Sequence, residues 1–352
     1  MKNSKKSRVG LYILYGAVTV FLLALILSFG DLEQIWQTIK SSDIRYILLA
    51  FLCIALYILL YPLSLCILTR AKGCNIKMKK TYGIAMTEHF FNGITPFATG
   101  GQPFQVYSFS KEKVTPTEST CLLLMNFMVF MLVTNTFAAT ALFYFKRFVT
   151  DTAMAIIAAV GFTINFLVLA VTFLVAKSKK VSAFLSGAVE WFCRFKFINR
   201  LVGEKKENLK EYFVNVQLAF SQLMKKKAAF VLAFVSKFLS MGVYYSTTYF
   251  ILLALHVNVS ASDIFFIISG TSFAITMVVF MPTPGSSGGI EFAFKSVFAT
   301  IASGAAASVA YSGMLVWRLL SYYFVMLVSL FFYILLEIGY SKSQKKEELR
   351  LE

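Results

Sequence analysis

Arg318 stands in the middle of the long apolar run YSGMLVWRLLSYYF. A charged side chain at the centre of a membrane-spanning helix costs at least about 2.5–3.5 kcal/mol, so it is expected to face a partner or a cavity. Its planar fork of N–H donors matches the oxygen atoms of a phosphate. We therefore expect Arg318 to bind an anionic group, with Glu291 or Glu88 as its partner when the site is empty.

Five further ionisable residues lie in or beside apolar segments. Glu88 and His89 come one turn before a helix-breaking stretch and are candidates for gating or proton coupling. Glu291 and Lys295 are four residues apart on one helix face, which fits either an internal ion pair or a gating role. Lys237 is about eight residues into its helix, so its ammonium can reach the interface and is not expected to form a site.

Two stretches of the chain repeat the same helix-breaking pattern. TPFATGGQPF covers residues 95–104 and TPGSSGGIEF covers residues 283–292, at a constant offset of about 188 residues. Proline removes a backbone donor, and a Gly pair abandons helical geometry readily. Inside a membrane, the freed backbone groups are tolerated only where they are buried in protein or line a wet cavity. One such stretch alone would fit tight helix packing, whereas a matched pair favours a site.

Helices that begin after these breaks, at Gly101 and Gly289, would direct their positive dipole ends into a shared chamber, which suits an anion. The residues expected to bind substrate are Thr95, Pro96, Gly100, Gly101, Gln102, Pro284, Gly288, Gly289, Glu291 and Arg318.

The composition predicts an all-α polytopic membrane protein. Hydrophobic residues make up 58% of the 352 and charged residues only 14%, and the apolar residues form long blocks. Five scattered cysteines without C-x-x-C spacing, and only two histidines, give no reason to expect a metal site, a disulfide, a cofactor or a catalytic group. Six full spans are predicted near residues 9–29, 45–69, 118–145, 153–176, 229–255 and 306–337.

The lysines and arginines predict the topology. One threading places 27 of them on the cytoplasmic side and 4 outside, with three left inside apolar segments. It requires the stretches 81–94 and 263–282 to enter the membrane and return, as re-entrant hairpins, and it leaves both termini cytoplasmic. Residues 45–145 and 229–337 then form two inverted repeats within a single membrane domain, an arrangement typical of transporters. Helices 9–29 and 153–176 stand outside the repeats.

The segment 177–228 reads as two amphipathic helices broken around Gly203, rich in basic and aromatic residues. Such helices lie on anionic headgroups. The net charge of +17 is therefore interpreted as contact with anionic phospholipids, and no direct nucleic-acid partner is expected.

The motifs GITPFATGGQPFQVY and MPTPGSSGGIEFAF, with WRLLSYYF in the last span, resemble the lysylphosphatidylglycerol synthase transmembrane family over about residues 9–340. This family includes the flippase part of the multiple peptide resistance factor. The resemblance implies a bacterial-type plasma membrane location and a role in moving the aminoacylated lipid to the outer leaflet, which gives resistance to cationic antimicrobial peptides. The resemblance also implies that the family's motif residues have the same roles in this chain; they include Pro103 and Pro282 besides the residues already named.

The resemblance also brings a comparison with full-length members of that family, in which a soluble C-terminal domain transfers lysine from charged tRNA to phosphatidylglycerol. The 352 residues leave no room for that domain, so this chain alone is not expected to be catalytic. The favoured function is a flippase for an anionic or aminoacylated phospholipid. The alternatives are the membrane part of a phosphatidylglycerol lysyltransferase system with a separate soluble synthase, and a scaffold that recruits such a synthase. A homo-oligomer is a further candidate assembly.

Overall fold

The computed structural model describes residues 32–177, 206–279, 281–302 and 307–351. These segments are helical apart from short turns, and no strand occurs in them, as predicted for an all-α fold. The predicted helix 9–29 and the first amphipathic helix, before Gly203, lie outside the described residues.

The helices are numbered in chain order. They are α1 (Leu32–Ser41), α2 (Ile44–Leu60), α3 (Leu63–Lys72), α4 (Met78–Ile94), α5 (Gly101–Lys111), α6 (Pro116–Leu142), α7 (Phe145–Phe148) and α8 (Thr152–Lys177). They continue with α9 (Lys206–Met224), α10 (Lys227–Ala254), α11 (Ile264–Val278), α12 (Gly289–Ile301), α13 (Ala307–Arg318) and α14 (Val325–Leu351). A π-helical stretch, Leu319–Phe324, joins α13 to α14.

Six helical stretches are long and apolar enough to cross a membrane: Ile44–Lys72, Pro116–Leu142, Thr152–Leu174, Lys227–Ala254, Ala261–Val278 and Val309–Ser343. Five of them coincide with predicted spans. The sixth, Ala261–Val278, is the first limb of the second predicted hairpin. By length and composition it is able to cross, so the return of this limb to its own side of the membrane stays a prediction.

Each repeated phrase interrupts a helical pair. The first break, residues 95–100, separates α4 from α5, and the second break, residues 283–288, separates α11 from α12. The two limbs of each pair pack against one another. The α4 limb also packs on α14, while the α11 limb packs on α6. Each interrupted pair therefore packs against the last span of the other predicted repeat. The first spans of the two predicted repeats, α2 and α10, also form an extensive contact.

Local capping explains where several helices begin and end. Asp43 precedes α2 and accepts hydrogen bonds from the backbone and guanidinium of Arg45, which lower the pKa of that carboxyl. Thr115 and Glu118 form a capping box at the start of α6, with Pro116 in the first helical position. Gly73 ends α3 with a φ of 90°, a left-handed conformation that favours glycine.

Proline divides the first described span into α2 and α3. Pro62 has no N–H to donate, so the carbonyl oxygen of Ile58 is free of its usual helical partner. The hydroxyl of Tyr82 donates to that oxygen at 2.7 Å. At the same kink, Ser236 of α10 donates to the carbonyl of Leu60 at 3.3 Å. At the kink, carbonyl groups without a helical partner therefore accept hydrogen bonds from side chains of the neighbouring helices.

The buried side chains form clusters between the helices, while large apolar side chains stay exposed on the outer faces of the spans. Leu48, Ile156, Phe166, Leu239 and Phe331 are each more than half exposed. Such exposure on helices long enough to cross a membrane is what contact with lipid tails requires. The second predicted amphipathic helix is α9, which packs against α6 and α8 with Phe220 and Leu223 buried.

Candidate functional site: a cavity between two helix breaks

The two breaks contact each other and lie beside one cavity of about 700 Å³. This volume is in the usual range for sites that bind small molecules or headgroups. Its walls combine polar and ionisable groups with aromatic rings. They include Tyr57, Tyr61, Glu88, His89, Asn92, Gln102, Phe127, Phe130, Tyr244, Tyr245, Gly285, Ser286, Trp317, Arg318, Ser321 and Tyr322.

The breaks share one backbone conformation. Thr95 and Thr283 are extended, with φ near −111° and −108°, and a proline follows each. Two left-handed residues come next in both breaks: Phe97 and Ala98 in the first, Gly285 and Ser286 in the second. α5 then begins at Gly101 and α12 at Gly289, as predicted. Strained non-glycine residues of this kind concentrate at functional sites.

The first break is stabilised by its own polar side chains. The hydroxyl of Thr95 donates to the carbonyl of Phe91 at 2.7 Å and accepts from the N–H of Gly100 at 2.9 Å. The side-chain oxygen of Asn92 accepts from the N–H of Gly101 at 2.8 Å. The N–H of Gly101 at the start of α5 is therefore already paired within the chain. Thr95, Gly100 and Gly101 shape the break and do not line the cavity.

Glu291 stabilises the second break. Its Oε2 accepts a hydrogen bond from the N–H of Gly288 at 2.6 Å. Its Oε1 lies 3.1 Å from Nε of Arg318. One carboxylate thus caps α12 and neutralises Arg318. The pairing of Arg318 with Glu291 was among the sequence predictions, and the alternative pairing of Glu291 with Lys295 is wrong, because the Lys295 side chain is exposed and Glu291 is held at the break.

Arg318 lines the cavity although it is only 3% exposed. Its Nη2 donates to the hydroxyl of Ser287 at 2.7 Å, and the guanidinium lies 4.9 Å from the ring centre of Tyr322. Among the described residues, Nη1 has no hydrogen-bond partner. The N–H groups of Nη1 are therefore available to an oxygen ligand in the cavity.

Tyr322 joins the first break to the second. Its hydroxyl donates to the carbonyl of Gly93 at 2.8 Å, near the end of α4. The same phenol fills the space beside Gly285, where a Cβ would lie 2.3 Å from the hydroxyl oxygen. The π-helical stretch that follows Arg318 carries Tyr322, and π-helical turns are frequent at functional sites.

We expect Tyr322→Phe to lower the free energy of unfolding by about 1 kcal/mol, because the orphan carbonyl at the end of α4 loses its donor. Thermal unfolding of the purified protein in detergent would measure this change. Tyr107→Phe is the matched control, since Tyr107 is exposed and its hydroxyl has no hydrogen bond among the described residues. Equal effects of both substitutions would contradict the prediction.

A second polar cluster faces the cavity from α2, from the turn that follows it and from α4. The hydroxyl of Tyr61 donates to Oε2 of Glu88 at 3.2 Å, and the hydroxyl of Tyr57 lies 3.4 Å from Nε2 of His89. The rings of Tyr61 and His89 are 4.4 Å apart. Glu88 and His89, both predicted as gating or coupling residues, therefore lie at the cavity wall, each beside a tyrosine hydroxyl.

Lys237 corrects the sequence prediction. It does not reach the interface, because its side chain is completely buried. Its Nζ donates to the carbonyl of Tyr61 at 3.0 Å, at the Pro62 kink, and lies 3.2 Å from the ring centre of Tyr61. Tyr61 therefore contacts the Lys237 ammonium with its ring and carbonyl, and Glu88 with its hydroxyl.

The predicted substrate-binding residues divide into two groups. Gln102 and Arg318 line the cavity, as do the coupling candidates Glu88 and His89. The others shape or flank the breaks and are not part of the cavity wall; they are Thr95, Pro96, Gly100, Gly101, Pro284, Gly288, Gly289, Glu291 and Lys295.

The aromatic residues of the cavity wall were not among the residues predicted for the site. Tyr57, Tyr61 and Tyr245 are nearly completely buried, and Tyr244 and Trp317 join them at the cavity. A tyrosine in the middle of a span needs a hydrogen-bond partner for its hydroxyl, so its position in the sequence could have indicated a polar site.

The fold and the cavity together define a polytopic α-helical membrane protein with an internal polar site. A family model described as the lysylphosphatidylglycerol synthase TM region matches residues 12–329. The chain belongs to this family. It is also 29% identical over 97 residues to a UPF0104 membrane protein of Archaeoglobus fulgidus, a match that covers 28% of this chain and 30% of that protein.

Proposed function

We propose that this chain moves an anionic or aminoacylated phospholipid between the leaflets of a membrane. The headgroup would pass through the cavity between the two breaks, while the acyl chains stay in the bilayer. The observation that carries the proposal is Arg318, which is buried at the cavity wall with one arm of its guanidinium without a partner among the described residues. The family supports a role in a lysylphosphatidylglycerol system.

The phosphate of a headgroup would bind Nη1 of Arg318 while the guanidinium keeps its ion pair with Glu291 and Nη2 keeps its hydrogen bond to Ser287. This arrangement accepts an anion without first breaking the contacts that hold the second break. Phe127 and Phe130 of α6 supply apolar surface on the same cavity. We also propose that the interrupted pairs α4–α5 and α11–α12 are re-entrant, which would open the cavity alternately to the two sides.

Reconstitution tests this function. Purified protein in liposomes that contain a headgroup-labelled phosphatidylglycerol or lysylphosphatidylglycerol should expose inner-leaflet label to an external quencher faster than protein-free liposomes do. We expect Arg318→Ala to slow this movement by about tenfold to a hundredfold, because a hydrogen bond to a charged group contributes about 1.5–3 kcal/mol.

The matched control is Arg45→Ala, which removes an arginine whose side chain is 83% exposed and lies apart from the cavity wall. Gel filtration of each variant would check that it is folded. Label movement no faster than in empty liposomes for the unaltered protein would overturn the function. An unchanged rate in Arg318→Ala would remove Arg318 from the site.

The family description favours one alternative: this chain as the membrane part of a phosphatidylglycerol lysyltransferase system that acts with a separate soluble synthase. Supplying membranes that contain the chain with lysyl-tRNA and a soluble synthase would test it. A chain-dependent rise in lysylated lipid on thin-layer analysis, without label movement in liposomes, would favour this alternative over translocation.

A further inference from the structure

Three ionisable groups next to the cavity are not used by the proposed contact between Arg318 and a phosphate. Glu88 and His89 are at the cavity wall, and Lys237 is behind it, joined to Glu88 through Tyr61. Ionisable residues inside membrane segments are costly and mark ion pathways or proton relays. These groups differ in their access to the cavity, since Glu88 lines it and Lys237 is completely buried.

We propose that Glu88 is a proton-binding site and that Lys237 is its internal counter-ion, so that lipid movement is coupled to proton transfer at Glu88. The coupling rests on the proposed function, whereas the proton site stands on the geometry of the cluster. A proton would pass from water in the cavity to a carboxylate oxygen of Glu88, which becomes a neutral carboxylic acid. The reverse step would return the proton to water.

The charged and titratable groups around Glu88 come from four helices and one turn. Tyr57 faces it from α2, and Tyr61 from the turn between α2 and α3. His89 lies next to it on α4, and Lys237 faces it from α10. Arg318 of α13 lines the same cavity, but its charge is neutralised by Glu291. Lys237 is therefore the cation that Glu88 balances.

Protonation of Glu88 would change the partners of Lys237. The ammonium would keep the carbonyl and ring of Tyr61, which carry no net charge, and lose the negative charge of Glu88 at the hydroxyl of that ring. A buried ammonium without a counter-ion is unfavourable. The Lys237 ammonium contacts the Pro62 kink through the Tyr61 carbonyl, and this kink is the point at which the neighbouring helix can deform. Proton binding at the wall would thus be transmitted to the contact between α2 and α10, the first spans of the two repeats.

The proton site can be tested without lipid transport. Infrared difference spectra of the full chain in liposomes, between acidic and alkaline pH, should contain a carboxylic-acid band that is absent in Glu88→Gln. Glu112→Gln, which removes a glutamate paired with Lys80 away from the cavity wall, should keep the band. A spectrum that is the same for Glu88→Gln and the unaltered protein would overturn the proton site.

The counter-ion is tested by Lys237→Met. A positive neighbour opposes proton binding, so its removal should move the half-titration point of the Glu88 band to higher pH by at least about one pH unit. Lys295→Met, an exposed lysine, should leave it in place. If Lys237→Met does not fold, the double variant Glu88→Gln with Lys237→Met should recover the yield, because no unpaired charge remains. Loss of yield in the double variant as well, or an unmoved titration point, would overturn the counter-ion role.

Coupling is tested in the liposome assay by imposing a pH difference. The rate of label movement should change at least about threefold with the gradient in the unaltered protein and not in Glu88→Gln. Movement that ignores the gradient would overturn the coupling and leave the proposed function intact. Absence of movement, with an intact Glu88 band, would overturn the proposed function and keep the proton site.

Discussion

Gly285→Ala is expected to lower the free energy of unfolding by about 3 kcal/mol and to bring label movement to the level of protein-free liposomes. Gly285 has a φ of 58°, where a Cβ costs about 1–2 kcal/mol. The added Cβ would also lie 2.3 Å from the hydroxyl oxygen of Tyr322 and 2.4 Å from the ring. Tyr322 cannot move aside without giving up the carbonyl of Gly93, so the overlap adds to the backbone strain.

Gly73→Ala separates the two causes. Gly73 also has a left-handed φ of 90°, but no atom lies within 4 Å of the position its Cβ would take. We expect only the backbone cost there, about 1 kcal/mol, and normal lipid movement. Thermal unfolding and the liposome assay would be run on both variants. Equal destabilisation by the two would show that Tyr322 is not packed against the second break as described.

Gly161→Ala is expected to destabilise the protein by about 3 kcal/mol, near the upper end of the cost of overpacking. Gly161 lies in α8 where it crosses α11, and its Cβ would be 2.3 Å from the carbonyl oxygen of Met277 and 2.6 Å from its Cα. Backbone atoms cannot rotate away as a side chain can. The helices would have to separate, with loss of the contact between α8 and the α11 limb of the second break.

Gly339→Ala is the control for Gly161→Ala. It places the same methyl group in α14, also within a helix, where no atom lies within 4 Å. We expect this substitution to be neutral or stabilising, since alanine is more favourable than glycine within a helix by about 1 kcal/mol. A Gly161→Ala protein that unfolds at the same temperature as the Gly339→Ala protein would contradict the close approach of α8 and α11.

Local sequence rules predicted the breaks well. Proline and the Gly pair act on their own backbone, so the starts of α5 at Gly101 and α12 at Gly289 follow from the sequence. The repeat at an offset of 188 also carried information on conformation, because residues 97 and 285 are both left-handed. A buried arginine needs an acidic partner, and the sequence predicted Glu291 or Glu88 for Arg318; the structure pairs it with Glu291.

The errors concern contacts between distant helices. The position of Lys237 depends on a carbonyl that the Pro62 kink of another helix exposes, and periodicity along α10 cannot reveal it. Glu291 was a partner for Lys295 by spacing alone, yet the N–H of Gly288 and the guanidinium of Arg318 hold its carboxylate at the break. Spacing within a helix indicates which side chains can meet, and tertiary packing decides which of them do.

The charges beside the cavity also bear on energetics across the membrane. The charge of Arg318 is balanced by Glu291, and Lys237 is linked to Glu88 through Tyr61, so a headgroup whose only charge is one phosphate would bring in one uncompensated negative charge. A unit charge that crosses a potential of 100 mV gains or loses about 2.3 kcal/mol. Transport of such a lipid alone would therefore be electrogenic, and a proton carried on Glu88 would make the same passage independent of voltage.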